Sequence, residues 1–145
     1  MDTSTLNKVL RLLKKEISKY KIVTAATVGA KPSTRPFRIL VSTILSARTR
    51  DHVTEAAAQR LLERAPTAET LGSLTIGEIE RLIYPVGFYR TKAKYLKETC
   101  RLLLKHHNGK VPGSLEELLK LPGVGRKTAN LVLTAGFHRD GICVD

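Results

Sequence analysis

Apolar residues recur along the chain at the three- and four-residue steps of helices, and no stretch alternates like a convincing strand. Leu6, Val9, Leu10, Leu13 and Ile17, with basic residues between them, predict an amphipathic first helix. The period is lost from Tyr20 to Arg35, where Gly29 and Pro32 predict a long connection. Pro36 suits a first helical position, and Phe37, Ile39, Leu40, Val41, Ile44 and Leu45 are apolar almost all round, as in a buried central helix. Asp51 is expected to cap the next helix, which runs through Ala56, Ala57 and Leu61 to a stop before Pro66. Thr75 with Glu78 is a capping-box signature opening a short helix that ends before Pro85. Ala93, Leu96, Cys100 and Leu103 then mark a long helix closed by Asn108 and Gly109. A second box, Ser114 with Glu117, opens a helix holding Leu115, Leu118 and Leu119, and the helical period resumes at Leu131, Val132 and Ala135. The predicted fold class is all-α.

Composition narrows the picture. A chain of 145 residues fits one ordinary domain with a real core, and 42% hydrophobic residues exclude a disordered basic tail. Trp is absent, so the core must be mainly aliphatic. Cys100 lies on a buried stripe and reads as a core residue. With Cys143 it makes too few cysteines for a disulfide framework, so a reducing cytoplasm is expected. Lys8, Arg11, Lys14 and Lys15 interrupt any signal-peptide core, and the apolar run from Ile39 to Ala47 is too short to span a bilayer. A membrane partner is therefore not expected.

Charge suggests a different partner. Lys and Arg number 25 against 13 Asp and Glu, a net charge of +12. The excess is segregated: 11 basic against 3 acidic groups in residues 1–51, 3 against 5 in 52–83, and 11 against 5 in 84–145. Such a distribution suits one side of a fold meeting phosphates, whereas a merely solubilising surface needs no segregation.

The most informative string is Leu121-Pro122-Gly123-Val124-Gly125-Arg126-Lys127-Thr128-Ala129-Asn130. Two helices joined by Pro-Gly-Val-Gly make a tight hairpin. Gly123 and Gly125 can take positive φ and admit a phosphate close to the backbone. A helix starting near Gly125 directs its first N–H groups and positive dipole end to the same point. Val124, Arg126 and Thr128 complete the expected phosphate-facing surface of this turn.

This string resembles the helix-hairpin-helix of the endonuclease III family of DNA glycosylases. Further matches are Ile44-Leu45-Ser46-Ala47 before Thr49-Arg50-Asp51, Gly87-Phe88-Tyr89 before Lys92-Ala93, and His107-Asn108-Gly109-Lys110-Val111-Pro112. Asp145 follows Lys127 by 18 residues, the family's lysine-to-aspartate spacing. The similarity covers the chain from about Pro36 onward. It implies a helix-hairpin-helix glycosylase fold, incomplete here, with residues 36–145 forming the helical domain and the hairpin at about 114–137.

The resemblance also implies the chemistry. In the family the lysine amine, here Lys127, attacks C1′ of a damaged pyrimidine nucleotide turned out of double-stranded DNA. The base leaves, a Schiff base forms, and β-elimination nicks the strand. Only the neutral amine can do this, because an ammonium has no lone pair. Asp145 would assist base departure and stabilise positive charge on the sugar. Phe88 matches a residue that wedges into the duplex beside the extruded base, unless it is a core aromatic. Arg48 stands where bacterial relatives carry a glutamine that fills the gap, which leaves the preferred lesion or mismatch open. Main-chain oxygens of Leu119, Leu121 and Val124 are the family's position for a monovalent cation, and a side-chain metal site at the adjacent His106 and His107 is not expected. Two further readings stay open: a thymine or uracil mismatch glycosylase, and a non-catalytic DNA-binding module.

Family chains continue past this aspartate into further helices and usually a cysteine-ligated 4Fe-4S cluster. The resemblance thus implies a chain cut short at Asp145, with residues 1–35 packing on the part that follows. No cofactor is expected within this chain. A monomer acting in the cytoplasm at the nucleoid, or in a nucleus, is the accompanying expectation.

Overall fold

The computed structural model describes residues 2–19 and 30–139. All regular structure among them is helical, as the apolar spacing predicts. Most of the predicted connection, together with Cys143 and Asp145, lies outside the described residues.

Helix α1 (Thr3–Lys19) forms with the expected amphipathic period. Its stripe is not buried, since Leu6, Leu10, Leu12 and Leu13 are each about half exposed. Helix α2 (Arg35–Ser46), with Pro36 in its first turn, is the buried centre, and Leu40 and Leu45 are fully enclosed. Around it pack α3 (Asp51–Arg64), α6 (Tyr89–His106), α8 (Arg126–Leu131) and a π-helical turn, Val132–Gly136, that continues α8. The turn sits so close to α2 that a Cβ on Gly136 would lie 3.1 Å from Pro36 Cα. Helices α4 (Ala68–Ser73) and α5 (Ile76–Ile83) close the other side of α6, and α7 (Leu115–Leu119) packs on α8. The core is aliphatic: Leu61, Leu71, Ile79, Ile83, Leu96, Leu103 and Leu118 are all buried. Cys100 belongs to it at 1% exposure, and burial pushes its thiol up to about 12, well away from reactivity.

Local signals mostly act as expected, with three differences. Thr75 and Glu78 form the full box: Glu78 N–H donates to Thr75 Oγ1 at 3.1 Å, and Thr75 N–H donates to Glu78 Oε2 at 2.7 Å. Ser114 accepts from Glu117 N–H at 3.2 Å, but the Glu117 carboxylate turns away to Lys120 (2.8 Å), so only half of that box forms. Asp51 is the first residue of α3 rather than its cap; Arg50 holds the cap position, and the carboxylate favours the helix start through the dipole alone. Helix α4 was not anticipated from the sequence. Its box is made by Thr67 and Thr70, and a threonine at the third position lacks the acidic signature that marks such boxes.

A recurring device ties helices together. The last carbonyls of a helix have no intrahelical donor. Arg60 donates to Leu82 O (3.0 Å) and Tyr84 O (2.7 Å) at the end of α5. Lys97 donates to Gly72 O (2.5 Å) and Leu74 O (2.6 Å) at the end of α4. Lys92 donates to Leu45 O (2.8 Å) and Ala47 O at the end of α2. Part of the chain's positive charge therefore serves the fold rather than the surface.

Candidate functional site

The hairpin forms where the glycine-rich string lies. Leu121 and Val124 are buried and anchor it, with Val124 N–H donating to Leu121 O at 3.2 Å across the turn. The carbonyl of Leu121 thus already accepts one bond. Gly123 has φ +75°, the left-handed region, and a Cβ there would come 2.8 Å from the Tyr95 ring. Gly125 differs from the sequence expectation. Its backbone is extended (φ −95°, ψ −174°), so it needs no positive φ, and nothing lies within 4 Å of where its Cβ would be. The turn demands glycine at 123, whereas at 125 glycine keeps an outward face bare. Gly125 caps α8, and Arg126 and Lys127 follow on the exposed first turn, with Thr128 half-buried behind them.

A second pair of sequence-predicted residues comes together although 40 positions separate them. Arg48 (φ +52°) and Phe88 (φ +56°) both take the left-handed conformation, which bulky L residues seldom adopt. Phe88 is 62% exposed, so the core alternative is excluded. The Arg48 guanidinium lies 5.8 Å from the centre of the Phe88 ring, within cation–π reach. Their loops touch closely: Gly87 N–H donates to Thr49 Oγ1 (3.0 Å), and a Cβ on Gly87 would lie 2.6 Å from the Arg48 carbonyl oxygen. Only glycine fits there.

Lys92 supports this pair; in the sequence it stands only within the family-matching string, with no role assigned to it. It is 5% exposed, and besides the α2 carbonyls its amine donates to Thr49 Oγ1 at 3.2 Å. Burial pushes its pKa down to about 8. The available signal was its spacing, four residues before Leu96 on the buried stripe of α6.

No group of three or more His, Cys, Asp or Glu side chains among the described residues is arranged to hold a metal ion. His107 lies 3.6 Å from the Glu117 carboxylate. An iron–sulfur cluster takes four cysteine thiolates; the chain has two cysteines, and Cys100 is sealed in the core, so the residues present do not fit one. No helix among the described residues is long and apolar enough to cross a membrane.

Comparison with known proteins shows the family of the chain. Residues 41–145 match the family described as HhH-GPD superfamily base excision DNA repair protein. Endonuclease III of Thermotoga maritima is 50% identical over 112 residues, 77% of this chain and 53% of that protein. The chain spans about half the length of that relative. A trapped endonuclease III–DNA covalent intermediate superposes with a TM-score of 0.76 at 32% identity, covering 100% of this chain and 65% of the other. A thermostable thymine-DNA glycosylase superposes at 0.72 with 28% identity, over 76% of this chain and 51% of the other.

Proposed function

As the chain belongs to the HhH-GPD superfamily of base excision DNA repair proteins, we propose that its protein is a DNA glycosylase with abasic-site lyase activity, acting on oxidised pyrimidines in double-stranded DNA. The carrying observation is the family match along residues 41–145, which includes Lys127 exposed on the first turn of α8 beyond the glycine hairpin. In this reading the neutral Lys127 amine adds to C1′ of the extruded nucleotide, and the base departs with a proton. The C1′–O4′ bond then opens, O4′ taking a proton, to give an iminium between Lys127 and C1′; this acidifies C2′, and loss of that proton expels the 3′ phosphate oxygen and nicks the strand. Asp145, outside the described residues, is assigned the stabilisation of sugar charge and the handling of these protons. Gly123, Val124, Gly125, Arg126 and Thr128 bind the phosphate backbone, and Phe88 and Arg48 enter the stack as the nucleotide leaves it. Carbonyls of Leu119, Leu121 and Val124 are offered to a monovalent cation. The site of action is wherever the cell keeps its DNA.

The test is borohydride trapping on a duplex with an abasic site. Lys127→Gln is expected to abolish the covalent adduct while duplex binding persists, because the hairpin still holds phosphate. An undiminished adduct would remove Lys127 from this role. A second reading, mismatch glycosylase, is favoured by Arg48 at the gap-filling position and by the likeness to the thymine-DNA glycosylase. Release of thymine opposite guanine in preference to oxidised pyrimidine would select it.

A further inference from the structure

We propose that Lys92 is the positioning residue that holds Arg48 and Phe88 as one outward-facing wedge, an assignment that rests on the DNA reading above. Arg60 and Lys97 also clasp helix ends, but the clasp of Lys92 extends further. Its amine reaches the Leu45 and Ala47 carbonyls and then Thr49 Oγ1, so its bonds bracket Arg48 on both sides. Thr49 Oγ1 in turn accepts from Gly87 N–H, the residue before Phe88. One buried amine is therefore connected to the backbone flanking both wedge residues. Both adopt a φ that their side chains disfavour, and such conformations persist only where the surroundings over-determine them. A wedge that must enter a stacked duplex benefits from being preorganised, since disorder in it is removed at the moment of insertion. At neutral pH the amine is an ammonium with three N–H donors, matched by these three acceptors.

The wedge can be read independently of the chemistry. Full-length protein is bound at saturation to a duplex carrying an unreactive tetrahydrofuran abasic analogue with 2-aminopurine opposite it, whose fluorescence rises on unstacking. Lys92→Met is expected to bring the rise down to that of Phe88→Ala. Base release from duplex is expected to fall by about tenfold or more. Borohydride trapping on an abasic site in a single strand, where no stack is entered, is expected to fall much less. A wild-type rise in Lys92→Met, or equal losses on single strand and duplex, would overturn the assignment and leave Lys92 a structural clasp. If wild-type protein itself gives no rise, the wedge reading fails and this proposal fails with it. Should Lys92→Met not fold, Thr49→Val decides in the same assay: a reduced rise supports the relay, and an unchanged one overturns it.

Discussion

The α7–α8 hairpin and the Arg48–Phe88 pair both present exposed side chains, but they are built on different scales. The hairpin is local. Ser114 caps α7, Val124 bonds back to Leu121 over three residues, and one left-handed glycine turns the chain. The pair is assembled across 40 positions from the end of α2 and the start of α6, with two left-handed residues that are not glycine. It stands on a buried lysine, a threonine hydroxyl and a glycine with no room for a methyl group. A local site needs only the right string; a non-local one needs the whole fold to be right first.

That contrast can be broken most directly at Gly87. A methyl group there would meet the Arg48 carbonyl at 2.6 Å, and backbone cannot step aside as a side-chain end can. Gly87→Ala is expected to destabilise the protein by about 3 kcal/mol in urea unfolding, as overpacking does. The same substitution should separate the loops and weaken the Arg48–Phe88 contact. A stability within experimental error of wild type would mean that the two loops are not rigidly joined.

Inside the hairpin the two glycines sharpen the comparison, with smaller effects. Gly123→Ala places Cβ on a residue with φ +75°, at an expected cost of about 1–2 kcal/mol. Gly125→Ala meets no neighbour and should change stability by less than about 0.5 kcal/mol. Under the proposed function its methyl would stand between backbone and phosphate, so duplex binding should weaken by about tenfold, or ~1.4 kcal/mol. Equal stability losses at the two positions would contradict the assigned division between a turn glycine and a contact glycine.

What could be read from sequence follows the same division of scale. The helices of the core, the Thr75–Glu78 box and the Asn108–Gly109 stop depend on residues a few positions apart, and all appear in the structure. The string from Leu121 to Asn130 announced a hairpin for the same reason. The exposure of Phe88 was one of two alternatives, because a single aromatic after glycine carries no period. Its left-handed φ, and its companionship with Arg48, depend on packing between α2 and α6 and were not legible. The burial and role of Lys92 were hidden by residue type, since a lysine on a helix is ordinarily solvated. Gly125 was misread because glycine permits positive φ without requiring it.

The smallest predicted effect concerns the support of the pair. Burial pushes Lys92 from its ordinary 10.5 down to about 8, so the folded chain gives up this proton before the unfolded chain does. Between those values the unfolded state binds more protons, and stability contributed at this position therefore rises with pH. Below pH 8 the penalty of burying the ammonium is fully present; above 10.5 it is fully relieved. The useful quantity is the difference in unfolding free energy between wild type and Lys92→Met, followed from pH 7 upward. It is expected to move in favour of wild type as pH climbs past 8. A flat difference would mean that the carbonyls of Leu45 and Ala47 hold the proton as firmly as water does. A rise would show that the folded protein carries a buried charge at a cost in stability, at the residue whose hydrogen bonds lead to the strained Arg48 and Phe88.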